Sequence, residues 1–401
     1  HILKFVFKYL VNGTIYFKNP KKNKVIIFDS KYPGSFYLRY LFLKKITHII
    51  PTRAEEIKEI HLTKEVIKYI LKNFFKRSLK QNYLIILIKL INPKIVVTYT
   101  DNSPDFYLIS KLLRNEIRFI AFQQGTRSLR RQPVRYGKEI FIPEFYCLSN
   151  WDKNYFEKKK AKVTNFFVEG SLKVALAKKF IKSNKIKIHN NKYDICIIGE
   201  HGKIWGSKAE EVLNYNKKNF PSTDKYDTYN FIEKHGFSTG THAKYVQKLC
   251  KKHNLRFIIA GKHLKNTVLR QAEINFYKHY LGNNNFKLVP GLPHKFSNYQ
   301  LILQSRLIIG CDSTLLRETL ALKKKVLHCN LSGHPGADIP IKKDFAFKGH
   351  SFEAFEKKVV NILNMSDNNY FKSLGKNKDY IIANSENLEK KINQRLFTSY
   401  N

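Results

Sequence analysis

Cysteine is scarce and shows no pairing pattern. There are five, Cys147, Cys196, Cys250, Cys311 and Cys329, with no CxxC among them and an odd total. That argues against a disulfide framework and for a reducing, cytoplasmic compartment. Three of the five sit in apolar strand-like runs, where cysteine acts as a small hydrophobe. Long apolar runs are also missing. The nearest approach to a membrane span, YLIILIKLI at 83–91, is too short and carries Lys89. The opening stretch HILKFVFKYLVNGTIYF has no methionine at position 1. It is interrupted by Lys4, Lys8 and Asn12, unlike a signal peptide. No GxGxxG occurs, so dinucleotide redox chemistry has no fingerprint. The AGK at 260–262 is not a P-loop, because no glycine stands five residues before Gly261. HExxH, DxD and Cys/His clusters are absent, so no metal ligand is expected.

Acidic residues are few as well. Against 31 Asp and Glu stand 73 Lys and Arg, giving a formal net charge of +42. Such a charge suggests nucleic acid, but 59 of the 73 are Lys and they are spread along the whole chain. Abundant Lys, Asn and Ile together are what AT-rich codon usage produces. The basic surface still favours polyanionic partners, including an anionic membrane face.

With 401 residues, 43 % of them hydrophobic, the chain can build two domains of ordinary size. Short apolar runs alternate with longer amphipathic segments, which predicts an α/β fold with parallel strands. In the first half, 24–29, 94–100, 118–124 and 144–149 read as strands, and 33–44, 63–91 and 104–114 as helices. Residues 178–193, KKFIKSNKIKIHNNKY, are charged and Asn-rich and read as a linker. Strands then recur at 193–199, 256–261, 286–290, 306–310 and 324–330, with helices at 240–253, 267–281, 296–305 and 314–322. The division expected is a Rossmann-like acceptor domain over 1–177, the linker, a nucleotide-donor domain over 194–365, and a helical tail over 366–401. Ligands of open α/β sheets bind beyond the carboxyl ends of the strands, so those loops carry the candidate residues.

In IIGCDSTLLRETLAL (308–322) a strand ends at Gly310, where backbone can approach closely. Asp312 or Ser313 caps the helix that follows, whose first N–H groups suit phosphate. Ser313 and Thr314 add hydroxyls, and Glu318, one turn on, suits a pair of ribose hydroxyls. The plainer alternative is a simple helix cap with Glu318 paired to a lysine. IIAGKH (258–263) places Lys262 and His263 at the same sheet edge, where a lysine can neutralise a diphosphate. IIGEHGKIWGS (197–207) opens a loop of some forty residues with Glu200 and His201 at its base. His201 is a candidate general acid or phosphate donor. Asp101, in YTDNSPDF (99–106), is a candidate general base, or else forms an Asx turn. Gln124 and Gly125 end another strand and lead into Arg127, Arg130, Arg131 and Arg135. Six of the 14 arginines fall between Arg114 and Arg135, selective use of a two-point anion grip. His334, in SGHPGAD (332–338), follows the last strand and could approach a donor's phosphates.

GCDSTLLRETLALKKKVL (310–327) resembles the donor-binding element of GT-B glycosyltransferases, and is similar to the corresponding stretch of CDP-glycerol-type polymer transferases. TDNSPDFYLISKLLRNEIRFIAFQQGTRS (100–128) resembles surface-carbohydrate biosynthesis proteins of Gram-negative bacteria, a family near the Kdo and sialic-acid transferases. The resemblance covers most of 94–365 and implies two Rossmann-like domains facing across a cleft. It implies transfer of a sugar from a nucleotide-activated donor to a lipopolysaccharide or capsule acceptor, with no bound cofactor or metal. Gly310, Asp312, Ser313, Thr314, Glu318, Lys262, His263 and His334 would bind donor. Gln124, Gly125, Arg127 and Arg131 would bind acceptor or anion, and Asp101 and His201 would handle the acceptor proton. The partners implied are the nucleotide-sugar, a glycan or lipid-linked glycan, and the anionic inner face of the inner membrane, with no nucleic acid. A CDP-alditol-dependent polyol-phosphate transferase is the alternative, and a basic nucleic-acid binder a further one.

Overall fold

The computed structural model describes residues 13–29, 34–42, 47–52, 56–126, 139–200, 224–265, 267–283, 285–311, 313–333, 338–339, 343–383, 385 and 388–397. The chain divides into two compact units. Unit one comprises 1–125, 132–172 and 387–401, and unit two 126–131 and 173–386.

Unit one holds a small parallel pair, β1 (Thr14–Tyr16) and β4 (Glu59–His61), and a six-stranded parallel sheet. The large sheet contains β2 (Val25–Phe28), β3 (Thr47–Ile50), β5 (Ile95–Thr98), β6 (Arg118–Phe122), β7 (Phe141–Cys147) and β8 (Lys162–Val168). Its order is β3-β2-β5-β6-β7-β8. The central strands are buried on both faces, in keeping with their nearly continuous apolar sequences. Unit two holds β9 (Tyr193–Ile198), β10 (Phe257–Ala260), β11 (Leu288–Val289), β12 (Ser305–Gly310), β13 (Lys325–Cys329) and β14 (Ala346–Phe347). These form a parallel sheet of order β11-β10-β9-β12-β13-β14, a doubly wound arrangement. The strands run parallel throughout, but the order in which they are added reverses between β2 and β5 in unit one and between β9 and β12 in unit two. Those two points are where such sheets open a crevice at their carboxyl ends.

Helix starts follow side-chain chemistry. Thr63, Ser78, Ser103, Ser149, Thr267, Ser313, Ser351 and Ser366 each cap a helix by accepting a backbone N–H. Pro104 occupies the first turn after Ser103, where its missing N–H costs nothing.

Several expectations change. The segment 63–91 is two helices, Lys64–Lys72 and Leu79–Ile91, because Ser78 caps a second start. The 178–193 segment is not all linker: the helix Leu172–Ser183 runs into it, and the units divide between Leu172 and Lys173. The next described helix after β9 spans Asp224–Lys252, so fewer than forty residues separate the two. The tail does not act as one piece. Helix Asp367–Ser373 belongs to unit two, whereas Leu388–Phe397 returns to unit one. There Glu169 accepts from Lys391 at 2.8 Å and pairs with Arg395 at 2.8 Å. Arg395 also stacks over Phe167, and its carbonyl accepts from Arg118 at 2.9 Å. Burial raises the Glu169 carboxyl, but these two cations outweigh it and the net shift is downward.

Candidate functional site

The switch point of unit two is built around Glu200. This residue follows β9 through Gly199, and its Oε1 accepts the Cys311 N–H at 2.8 Å, just past β12. A Cβ on Gly310 would stand 2.9 Å from that oxygen, 3.1 Å from Ile198 Cβ and 3.3 Å from Leu316 Cδ2. Gly310 is thus glycine because a carboxylate of the chain itself crosses it. The Lys262 Nζ donates to the Glu200 carbonyl at 3.3 Å, joining the ends of β9 and β10.

A second buried carboxylate braces Lys262 from behind. Glu273 is fully buried. It accepts the Lys262 N–H at 2.7 Å and pairs with Arg270 at 2.8 Å. Arg270 in turn donates to the Leu288 carbonyl at 2.6 Å. A Cβ on Gly261 would lie 2.4 Å from Arg270 Nη1, so this turn too is closed by internal charge. His263 is buried, and its carbonyl accepts the Gly291 N–H at 3.0 Å. Beside this edge lies a hollow lined by Lys265, Thr267, Arg270, Gln271, Ile274 and Pro290. Burial, with Glu273 and Glu200 adding to it, pushes the Tyr277 hydroxyl well above its ordinary value and keeps it neutral.

The helix Thr314–Ala321 begins as the sequence predicts. Ser313 is its N-cap, accepting the Leu315 N–H at 3.3 Å. Thr314 Oγ1 accepts the Thr126 N–H at 2.8 Å. Glu318 lies one turn in but faces the interior, with 2 % of its surface exposed. Its Oε2 accepts the Tyr299 hydroxyl at 2.7 Å, and its Oε1 stands 3.7 Å from Lys173 Nζ. It is an internal brace here, rather than a carboxylate offered to solvent. Arg317, absent from the sequence-based candidates, is almost wholly buried. It donates through Nε and Nη2 to the Tyr380 carbonyl at 3.0 and 2.8 Å, stacks on that ring at 3.9 Å, and reaches Thr126 Oγ1 at 3.5 Å.

Unit one has its own corner at the β2–β5 switch point. Asp29, also missed from sequence, follows β2 with φ of 48°, an uncommon conformation for aspartate. Thr52 donates to its carboxylate and Thr100 to its carbonyl. Asp101 is fully buried, and its Oδ1 accepts the Gln124 N–H at 3.0 Å. Behind it Gln123 donates to the Gly125 carbonyl at 3.0 Å and to buried Asp152 at 2.7 Å. Asp101 therefore shapes the turn that presents Gln124, which is exposed, and Gly125, which is half-buried. Asp29, Gln123 and Asp152 left no sequence signal beyond their places at strand ends and a helix start. Asp312, His201, His334, Arg127 and Arg131 lie outside the described residues. Among the described residues no group of three or more His, Cys, Asp or Glu side chains is placed to hold a metal ion.

Residues 163–354 match a family described as "putative O-antigen biosynthesis protein". No curated protein matches the chain. Among solved structures, the UDP-GlcNAc 2-epimerase of Neisseria meningitidis bound to UDP-GlcNAc is similar at 14 % identity and a TM-score of 0.52, covering 93 % of this chain and 99 % of that one. MnaA of S. aureus, in a co-structure with UDP, matches at 14 % identity and a TM-score of 0.51, covering 93 % and 97 %. The wall teichoic acid polymerase TagF matches at 11 % identity and a TM-score of 0.50, covering 95 % and 91 %. The chain thus has the two-unit α/β fold of GT-B enzymes, and its stretch 163–354 carries the likeness to the O-antigen biosynthesis family.

Proposed function

We propose that this protein transfers a glycosyl group from a nucleotide-activated sugar to a glycan or lipid-linked glycan of a bacterial surface polysaccharide. We place that work on the cytoplasmic face of the inner membrane. The observation that carries the reading is the corner at the β9–β12 switch point. There the Lys262 ammonium reaches from the end of β10 to the Glu200 carbonyl past β9, and the Ser313-capped start of the Thr314–Ala321 helix follows β12, the strand on the other side of β9. A lysine and a helix N-terminus oppose the negative charge that builds on a departing nucleotide. The family match over 163–354 and the UDP and UDP-GlcNAc named for two similar structures point the same way.

In this proposal Ser313, Thr314 and Lys262 meet phosphate, and Asp312, His263 and His334 contribute to donor binding. Glu318 reaches a ribose only by giving up Tyr299 or Lys173. Gln124, Gly125, Arg127 and Arg131 meet the acceptor or its anionic groups. Asp101, buried on the Gln124 N–H, positions that turn, and proton removal from the acceptor falls to His201.

A thermal-shift panel of CMP-, CDP-, UDP-, GDP- and dTDP-linked sugars tests the reading, because binding to the native state raises the melting temperature. One nucleotide class should stabilise the protein, and Lys262→Ala should remove most of that shift. No response to any of them would refute a donor site at this corner. Product analysis completes the test: a glycosidic linkage supports the proposal, and a phosphodiester moves the protein to the CDP-alditol class.

A further inference from the structure

Unit one carries an uncovered apolar stripe on its outer surface. In the helix Lys64–Lys72, Val66 is fully buried, and Tyr69 and Ile70 pack on the core. Away from the core, Ile67 is 49 % exposed and Leu71 68 %; in the turn that follows, Phe74 is 44 % exposed and Phe75 97 %. Ile67 and Leu71, four residues apart, share one side of the helix, and Phe74 and Phe75 continue the exposed apolar surface into the turn. The Phe74 and Phe75 rings meet edge to face, with centroids 5.4 Å apart. Alongside run Lys64, Lys68, Lys72 and Lys76, one every four residues and all exposed. Between 64 and 80 the one acidic residue is Glu65. Phe17, 82 % exposed, follows β1, whose partner β4 leads into this helix.

Single exposed hydrophobic residues are ordinary, but a contiguous stripe ending in a bare phenylalanine marks an interaction surface. We propose that this stripe docks on an anionic lipid bilayer. Leu71, Phe74 and Phe75 enter the boundary between headgroups and acyl chains, and the lysine row meets lipid phosphates. Charge complementarity selects the occupant, since four exposed lysines among apolar side chains, with one acidic residue between 64 and 80, match an anionic surface. No helix among the described residues is long and apolar enough to cross a membrane; the attachment proposed here is a peripheral one. The inference deepens the membrane part of the proposed function and is independent of the donor corner.

The test is co-sedimentation of the full chain with phosphatidylglycerol-containing vesicles and with pure phosphatidylcholine vesicles, at low and high salt. The protein should sediment with the anionic vesicles, and raised salt should weaken this. The double variant Phe74→Ser, Phe75→Ser should lower the partition coefficient about tenfold or more. Lys68→Glu with Lys72→Glu should abolish the preference for phosphatidylglycerol. Both variants should keep the melting temperature and the nucleotide-induced shift, so failure here is distinct from failure of the donor site. Equal partition of wild type and the phenylalanine variant would overturn the proposal. A wild-type dimer made monomeric by Phe75→Ser would overturn it too, assigning the stripe to a second copy.

Discussion

Tyr299 donates its hydroxyl to Glu318 Oε2 at 2.7 Å, inside unit two, while Lys173 stands 3.7 Å from the other oxygen. A buried carboxylate is tolerable only with such partners. Tyr299→Phe leaves an interior oxygen short of a donor and should cost about 1–3 kcal/mol. Glu318→Gln keeps an acceptor for Tyr299 and should cost less than Glu318→Ala. Urea midpoints of the three variants check this. Equal midpoints for wild type and Tyr299→Phe would show that the contact contributes nothing to stability.

Gly310 and Glu200 form the second test. A methyl group on Gly310 meets Glu200 Oε1 at 2.9 Å, which forces the carboxylate off the Cys311 N–H. Gly310→Ala should cost about 1–3 kcal/mol, the loss of a buried hydrogen bond to a charged acceptor. Combining it with Glu200→Ala should cost less than the sum, because both remove the same bond. Strict additivity in a double-mutant cycle would contradict this account.

Arg317 is held by a carbonyl, a ring and a hydroxyl. Arg317→Lys cannot reproduce the two-point grip or the stacking and should behave nearly as badly as Arg317→Ala. Each is expected to lose about 3 kcal/mol. Thr126 loses a neighbour, so donor affinity should fall too, through the Thr126–Thr314 contact at 2.8 Å. Melting temperatures together with nucleotide titrations check both effects.

All five cysteines are free and buried. Burial pushes the Cys196 and Cys250 thiols up to about 12. Native protein at pH 8 should therefore resist thiol reagents, whereas denatured protein should react at all five. The raised values also fix a direction. The folded state holds these protons more tightly than the unfolded state, so the stability they contribute is complete below pH 9 and is lost as pH rises toward 12. Denaturation midpoints measured upward from pH 8 should fall in that window. Constant stability across it would contradict the burial.

Local chemistry alone determined a good deal. The runs VIIF, IVV and LIIG are apolar without interruption, so each reads as the core of a doubly covered parallel strand, and each lies in one. Ser103-Pro104 and Ser313 mark helix starts because capping needs only a side chain and the next few N–H groups. The helix start after β12, and the strand ends bearing Lys262 and Asp101, were legible for the same reason. Edge strand β8, KVTNFFV, was not, since it is partly exposed and mixes polar with apolar residues.

Tertiary structure decided what those loop residues face. Periodicity placed Glu318 one turn into its helix, but only packing against Tyr299 and Lys173 turned it inward. Gly310 announced a close approach, and folding supplied Glu200, 110 positions away, as the group approaching. The return of Leu388–Phe397 to unit one rests on Glu169, more than 200 residues upstream. Caps and strands depend on neighbours within a few residues. Which buried charge meets which partner depends on distant segments brought together, a pairing that no local pattern records.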